Sequence, residues 1–183
     1  MLKLENISFS VDVDGKDLGI VDNVSLEIPD GAFTVITGPN GGGKSTLARL
    51  IMGIEKPTSG RILYNGTDIT DLSVTERAKL GIGFAFQHPP RFKGLTVRRL
   101  LSLAAGYELP EDECCSYLTS VGLCSKDYLN REMDNSLSGG EAKRIEIATV
   151  LARSTKISLF PFYFLPFLST PHKTNASDFR GCS

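Results

Sequence analysis

Apolar residues at Leu2, Leu4, Ile7, Phe9 and Val11 alternate with polar ones, and the alternation slips at Glu5-Asn6. A two-residue period predicts a strand, and a slip in it predicts a break in the pairing. Asp12 to Gly19 reads as a polar turn carrying Asp-Gly. Val24, Leu26 and Ile28 then alternate with Ser25 and Glu27 until Pro29-Asp30-Gly31, so the chain opens as antiparallel β. Phe33-Thr34-Val35-Ile36-Thr37 is rich in β-branched residues and predicts a buried strand. Leu47 to Met52 predicts a helix closed by Gly53. Pro57 to Gly60 is a loop, and Arg61-Ile62-Leu63-Tyr64 is a strand turned by Asn65-Gly66. Ser73-Val74-Thr75-Glu76 is a capping box that opens a short helix. Ile82 to Phe86 predicts a buried strand ending at Gln87-His88-Pro89-Pro90.

From Thr96 to Asn135 the pattern predicts helices, with no β-like run between them. Thr96 caps one that carries Leu100, Leu101 and Leu103. Pro110 opens another, whose first turn holds Glu111, Asp112 and Glu113, where acids favour the helix dipole. This stretch predicts a helical subdomain inserted into an α/β core. Ser138 and Glu141 form a second capping box. The helix after it, through Ala142, Ile145, Ala148, Val150 and Leu151 to Arg153, is mostly apolar and predicted to be buried. Ile157-Ser158-Leu159-Phe160 begins a further strand.

The bulk composition adds little. The 183 residues suit one domain, or a core with a small subdomain. A formal net charge of −1 gives no footprint for nucleic acid or an acidic membrane surface. Arg98-Arg99 and Lys143-Arg144 read as short solvated pairs. The cysteines, Cys114, Cys115, Cys124 and Cys182, form no C-x-x-C pair, so neither a zinc site nor a disulfide framework is expected. The reading is cytoplasmic. With no signal-peptide pattern or membrane-length apolar run, any membrane association is expected to go through a partner.

The chemistry enters at Gly38-Pro39-Asn40-Gly41-Gly42-Gly43-Lys44-Ser45-Thr46, which has the P-loop pattern G-x-x-x-x-G-K-[ST]. Glycines let main-chain N–H groups turn inward around phosphate oxygens. The helix N-terminus that follows adds a partial positive charge. Lys44 would reach the β- and γ-phosphates of a nucleotide, and Ser45 would ligate Mg²⁺. Leu137-Ser138-Gly139-Gly140-Glu141 sets two glycines beside a serine N-cap, which makes a second helix end suited to an anion.

With these motifs in this order, residues 1 to about 160 resemble the ATP-binding cassette (ABC) ATPases. Gly38 to Ser45 looks like their Walker A motif, Gln87 like their Q-loop glutamine, and Leu137 to Glu141 like their signature motif. The resemblance implies an α/β fold. It is a P-loop NTPase (RecA-like) core with an antiparallel β subdomain and a helical subdomain at about 96–153. It implies ATP and Mg²⁺ as cofactors and a second ABC domain as head-to-tail partner. Ser138, Gly139 and Gly140 would face the partner's γ-phosphate, while Gln87 would contact Mg²⁺ or the attacking water. Leu72-Ser73 with Arg77, Gly81-Ile82, Phe84 to Pro89 and Gly94-Leu95-Thr96 are further similar to the ATPase of the SUF iron–sulfur assembly system. The implied partners are thus a membrane permease or Fe–S scaffold subunits.

Two departures from the family pattern stand in the sequence. Val11 sits nearer than Phe9 to the place where the family stacks an aromatic ring on adenine, and Phe9 is expected in the core. After Phe160 the family's Asp-Glu, whose Glu is the base for the attacking water, is replaced by Pro161-Phe162-Tyr163-Phe164-Leu165-Pro166-Phe167-Leu168. The next acid is Asp178. Residues 161–183 are therefore expected to be an atypical Phe-rich, then polar tail, a frameshifted or truncated end of the cassette. Hydrolysis is expected to be weak or absent. The alternatives are a nucleotide-binding or interaction module without turnover, and a non-functional fragment.

Overall fold

The structure, a computed structural model, describes residues 1–160. The expectations for the tail at 161–183, including the missing Asp-Glu, lie outside the described residues. The chain opens with a long hairpin of β1 (Leu2–Val13) and β2 (Lys16–Ile28). The turn is only Asp14-Gly15, both at positive φ (54° and 75°), so the predicted polar loop Asp12–Gly19 is mostly ladder. Two left-handed residues match the strands' own twist, which lets pairing run to the tip. The slip read at Glu5-Asn6 is real: the register shifts between Leu4 and Ile7, and Asn6 stands at φ 50°.

β1 also pairs antiparallel with β3 (Ser59–Tyr64), which pairs with the short β4 (Thr67–Asp68) through the Asn65-Gly66 turn. The sheet order is β2-β1-β3-β4. Its buried face carries Leu2, Leu4, Ile7, Ile62 and Tyr64. Onto it packs α1 (Lys44–Met52), through Leu47, Leu50, Ile51 and Met52. α2 (Val74–Lys79) begins at the predicted capping box on Ser73 and Glu76.

β5 (Ile82–Phe84) lies parallel to β8 (Ile157–Leu159), and Ala85 N–H extends the ladder to the Leu159 carbonyl at 2.9 Å. A second core surrounds α6 (Gly139–Ala152), against which pack α3 (Val97–Ala105) and α4 (Glu111–Ser120). A short α5 (Ser125–Tyr128) precedes it. Thr96 caps α3 and Pro110 opens α4, as predicted.

Four further expectations are corrected. The buried strand predicted over Ile82 to Phe86 stops at Phe84, and Phe86 is exposed. Phe33–Thr37 is neither strand nor buried; Phe33 is 72% exposed and Val35 52%. Propensity makes a strand only beside a ladder partner, and among the described residues no strand pairs with this segment. The helical stretch does contain β structure: β6 (Phe92–Thr96) pairs with β7 (Glu132–Met133), too short to show a period of two. On α6, Leu151 is exposed rather than buried.

Candidate functional site

The glycine loop is built by a close approach. Gly43 is the N-cap of α1 at φ 75°, and a Cβ there would stand 2.5 Å from the Ile20 carbonyl oxygen of β2. A side chain would meet both a disallowed conformation and a backbone wall. Gly43→Ala is therefore expected to cost about 2 kcal/mol or more of stability, read as a lower urea midpoint. Gly42 N–H donates to the Pro39 carbonyl at 3.1 Å, which folds the loop on itself. Lys44 Nζ donates to the carbonyls of Gly38 (2.8 Å) and Pro39 (2.6 Å). The ammonium thus bridges the mouth of the loop. Residues Gly38 to Gly42 are exposed, and Gly43 to Thr46 are half-buried at the head of α1.

The C-terminal end of α1 is held by Arg77, which is fully buried. Its Nη1 donates to the carbonyls of Leu50 (2.7 Å) and Ile51 (2.8 Å), Nη2 to Thr70 (2.7 Å) and Nε to Leu72 (3.0 Å). Burial lowers the guanidinium pKa from its ordinary value, and Asp68 and Asp71 oppose that shift. Gly53, at φ 79°, leaves the room: a Cβ there would lie 2.9 Å from Arg77 Nε. Sequence reading gave Arg77 no such role. The signals were Gly53 at the helix end and an arginine one turn past a cap.

The second helix end is open. Ser138, Gly139 and Gly140 are exposed, and a Cβ on either glycine would meet nothing within 4 Å. Ser138 Oγ accepts from Glu141 N–H at 3.2 Å, and Ser138 N–H donates back to Glu141 Oε2 at 2.7 Å. The Tyr128 hydroxyl donates to Glu141 Oε1, and Arg131 stands 3.8 Å from the same oxygen with its guanidinium over the Tyr128 ring. Tyr128 first, then the Ser138 side chain and main chain, hold the Glu141 carboxyl down from its ordinary 4.5 to about 2. A depressed carboxyl contributes stability above its unfolded pKa and loses it as pH falls through the folded one. The urea midpoint should therefore fall as pH drops from about 4.5 towards 2, and Glu141→Gln should flatten that limb.

Gln87 is exposed, three residues past β5, whose Ile82 and Phe84 belong to the first core. β5 packs against α1 on one side. The residue before Gln87, Phe86, is held from the other side by α6. Its N–H donates to Glu146 Oε1 at 2.5 Å, and its carbonyl accepts from Lys143 Nζ. Lys143, expected on a solvated face, is thus turned inward. The main chain just before Gln87 thus meets α6, while β5 itself packs with α1 in the first core. Phe9 is half-buried and packs on the first core, as expected.

Ser45 and Gln87 are oxygen donors suited to Mg²⁺, a hard cation that takes part of its shell from nucleotide phosphates and water. Among the described residues no cluster of three His, Cys, Asp or Glu could hold a metal unaided.

Residues 21–160 match the ABC transporter family. An uncharacterized ABC transporter ATP-binding protein of Methanocaldococcus jannaschii, MJ0035, is 41% identical over 148 residues, 76% of this chain and 59% of its own length. The methionine import ATP-binding protein MetN of Histophilus somni is 39% identical over 87% of this chain and 47% of its own. The chain thus spans about half the length of these relatives. Among solved structures, the dimeric post-hydrolysis state of the ATP-binding cassette MJ0796 bound to ADP and Pi superposes with a TM-score of 0.77. It is 30% identical and covers 89% of this chain and 75% of that one. By the match over residues 21–160, the chain belongs to the ABC transporter family of ATP-binding domains.

Proposed function

We propose that this chain binds ATP with Mg²⁺ as half of a composite site and couples that binding to a membrane permease. The observation that carries the reading is the pair of helix ends. One is a closed glycine loop bridged by Lys44; the other is the open Ser138-Gly139-Gly140 end on α6. An exposed, glycine-rich helix end apart from the chain's own phosphate loop suits a phosphate brought by another copy. The similar cassette MJ0796 is dimeric and bound to ADP and Pi, which supports a head-to-tail pair. In this reading the main chain of Gly38 to Gly43 cradles the phosphates, with Pro39 and Asn40 forming the turn. Lys44 exchanges the Gly38 and Pro39 carbonyls for the β- and γ-phosphates. Ser45, backed by Thr46, and Gln87 hold Mg²⁺, which supplies charge neutralisation at the phosphates when bound. Ser138, Gly139 and Gly140 complete the partner's site.

A permease is favoured as partner over iron–sulfur scaffold subunits because the MetN relative is named a methionine import ATP-binding protein. No described helix is long and apolar enough to cross a membrane. A second reading is nucleotide binding without turnover. It is favoured by the absence of any Asp or Glu between Ile157 and Asp178. Loss of a general base alone typically costs 10²–10⁴-fold in rate.

The test is titration of ATP with and without Mg²⁺, followed by phosphate release and by sedimentation. Saturable binding with an ATP-dependent dimer is expected. A chain that binds no ATP would sink both readings, and binding without phosphate release would select the second. Ser138→Arg fills the open end and should abolish the ATP-dependent dimer, which sedimentation of the variant with Mg-ATP checks; ATP affinity read at protein concentrations too low for pairing should stay within about twofold.

A further inference from the structure

In a strand, the main-chain groups of successive residues leave from opposite edges. Ala85 N–H turns to β8 and meets the Leu159 carbonyl at 2.9 Å. Phe86 then turns its N–H and carbonyl the other way. There it finds a carboxylate and an ammonium in place of another strand. Glu146 Oε1 accepts from Phe86 N–H at 2.5 Å, Lys143 Nζ donates to the Phe86 carbonyl, and Lys143 closes on Glu146 Oε2 at 2.7 Å. The two side chains are three apart on α6, so they leave one face together. Both are largely withdrawn from water, at 18% and 7% side-chain exposure. The charges balance, and each completes one half of a ladder step.

The far side of the same arch is anchored too. Arg91 Nη1 donates to the carbonyls of Asp134 and Leu137, the latter at 3.1 Å and immediately before Ser138. Gln87-His88-Pro89-Pro90 thus spans two anchors, and both belong to the signature helix or its lead-in.

Resting on the reading of Gln87 as the Mg²⁺-facing glutamine, we propose that Lys143 and Glu146 are positioning residues for it. They act through the Phe86 main chain, and neither touches nucleotide.

The experiment has two arms on the full chain. The first, without nucleotide, follows amide hydrogen exchange of Phe86. Glu146→Ala should speed exchange there about tenfold or more, while the β5 amides of Ile82 to Phe84 keep their protection. Glu146→Gln keeps an acceptor and should restore slow exchange. The second arm compares ATP affinity in Mg²⁺ with that in EDTA. Lys143→Met and Glu146→Ala should reduce the Mg²⁺-dependent gain as Gln87→Ala does, and leave affinity in EDTA unchanged. Combining Glu146→Ala with Gln87→Ala should cost no more than Gln87→Ala alone. Unchanged Phe86 exchange in Glu146→Ala, or multiplicative losses in the double variant, would overturn the proposal. Should Glu146→Ala fail to fold, Glu146→Leu, which keeps the bulk and removes the acceptor, carries the same measurements. If the wild type binds no ATP, the nucleotide reading fails while the exchange arm still decides the clamp.

Discussion

Arg77→Ala is expected to lower unfolding stability by about 3–5 kcal/mol, a large share of the roughly 5–15 kcal/mol that holds a typical domain. The size follows from what the guanidinium does. Four of its N–H directions end on main-chain carbonyls within 3.0 Å, and the side chain has no exposure. Two of those carbonyls, Leu50 and Ile51, close the last turn of α1, where the helix dipole is negative. Removing the donor takes a partner from all four carbonyls, of which Leu50 keeps the Gly53 N–H at 3.1 Å, and opens a cavity beside Gly53. Arg77→Met fills the volume but satisfies no carbonyl, so it should recover little. Arg77→Lys keeps the charge but not the planar fork and should recover part. Arg61 gives the contrast: it is exposed and pairs with Glu5 at 2.9 Å, and its alanine variant should cost under about 1 kcal/mol. Urea unfolding of the four variants decides the matter, and an Arg77→Ala change as small as that of Arg61→Ala would refute it.

Arg77 also shows where sequence reading runs out. Caps, turns and alternation are local, so Ser73 with Glu76, Ser138 with Glu141, the Asn65-Gly66 turn and the slip at Asn6 all stand where the residues put them. The glycine loop is legible for the same reason: its conformation is written in a few consecutive glycines. A buried arginine has no such local signature, because arginine is almost always a surface residue. The same holds for Lys143 and Glu146. On a helical wheel they look like an exposed i,i+3 pair, and only the arrival of Phe86, 60 residues before Glu146, turns them inward. Phe33 to Thr37 fails in the opposite sense. Its residues suit a strand, but a strand is a relation between two segments, and β5 pairs with β8 instead.

Lys44→Ala is expected to weaken ATP binding about a hundredfold or more, the cost of removing a charge-assisted contact to phosphate. Its effect on folding should be small, because the two carbonyls it leaves, on Gly38 and Pro39, are exposed and return to water. That separation is the value of the variant. Gly43→Ala injures the loop by distorting it and should lower stability and affinity together. Lys44→Ala leaves the loop and removes only the charge. Isothermal titration with Mg-ATP and a parallel urea melt read the two quantities independently. A near-normal melt with affinity lost places Lys44 on the phosphates. Affinity unchanged would mean that the ammonium serves only to close the loop on its own carbonyls, and the glycine turn would then be a structural feature rather than a phosphate cradle.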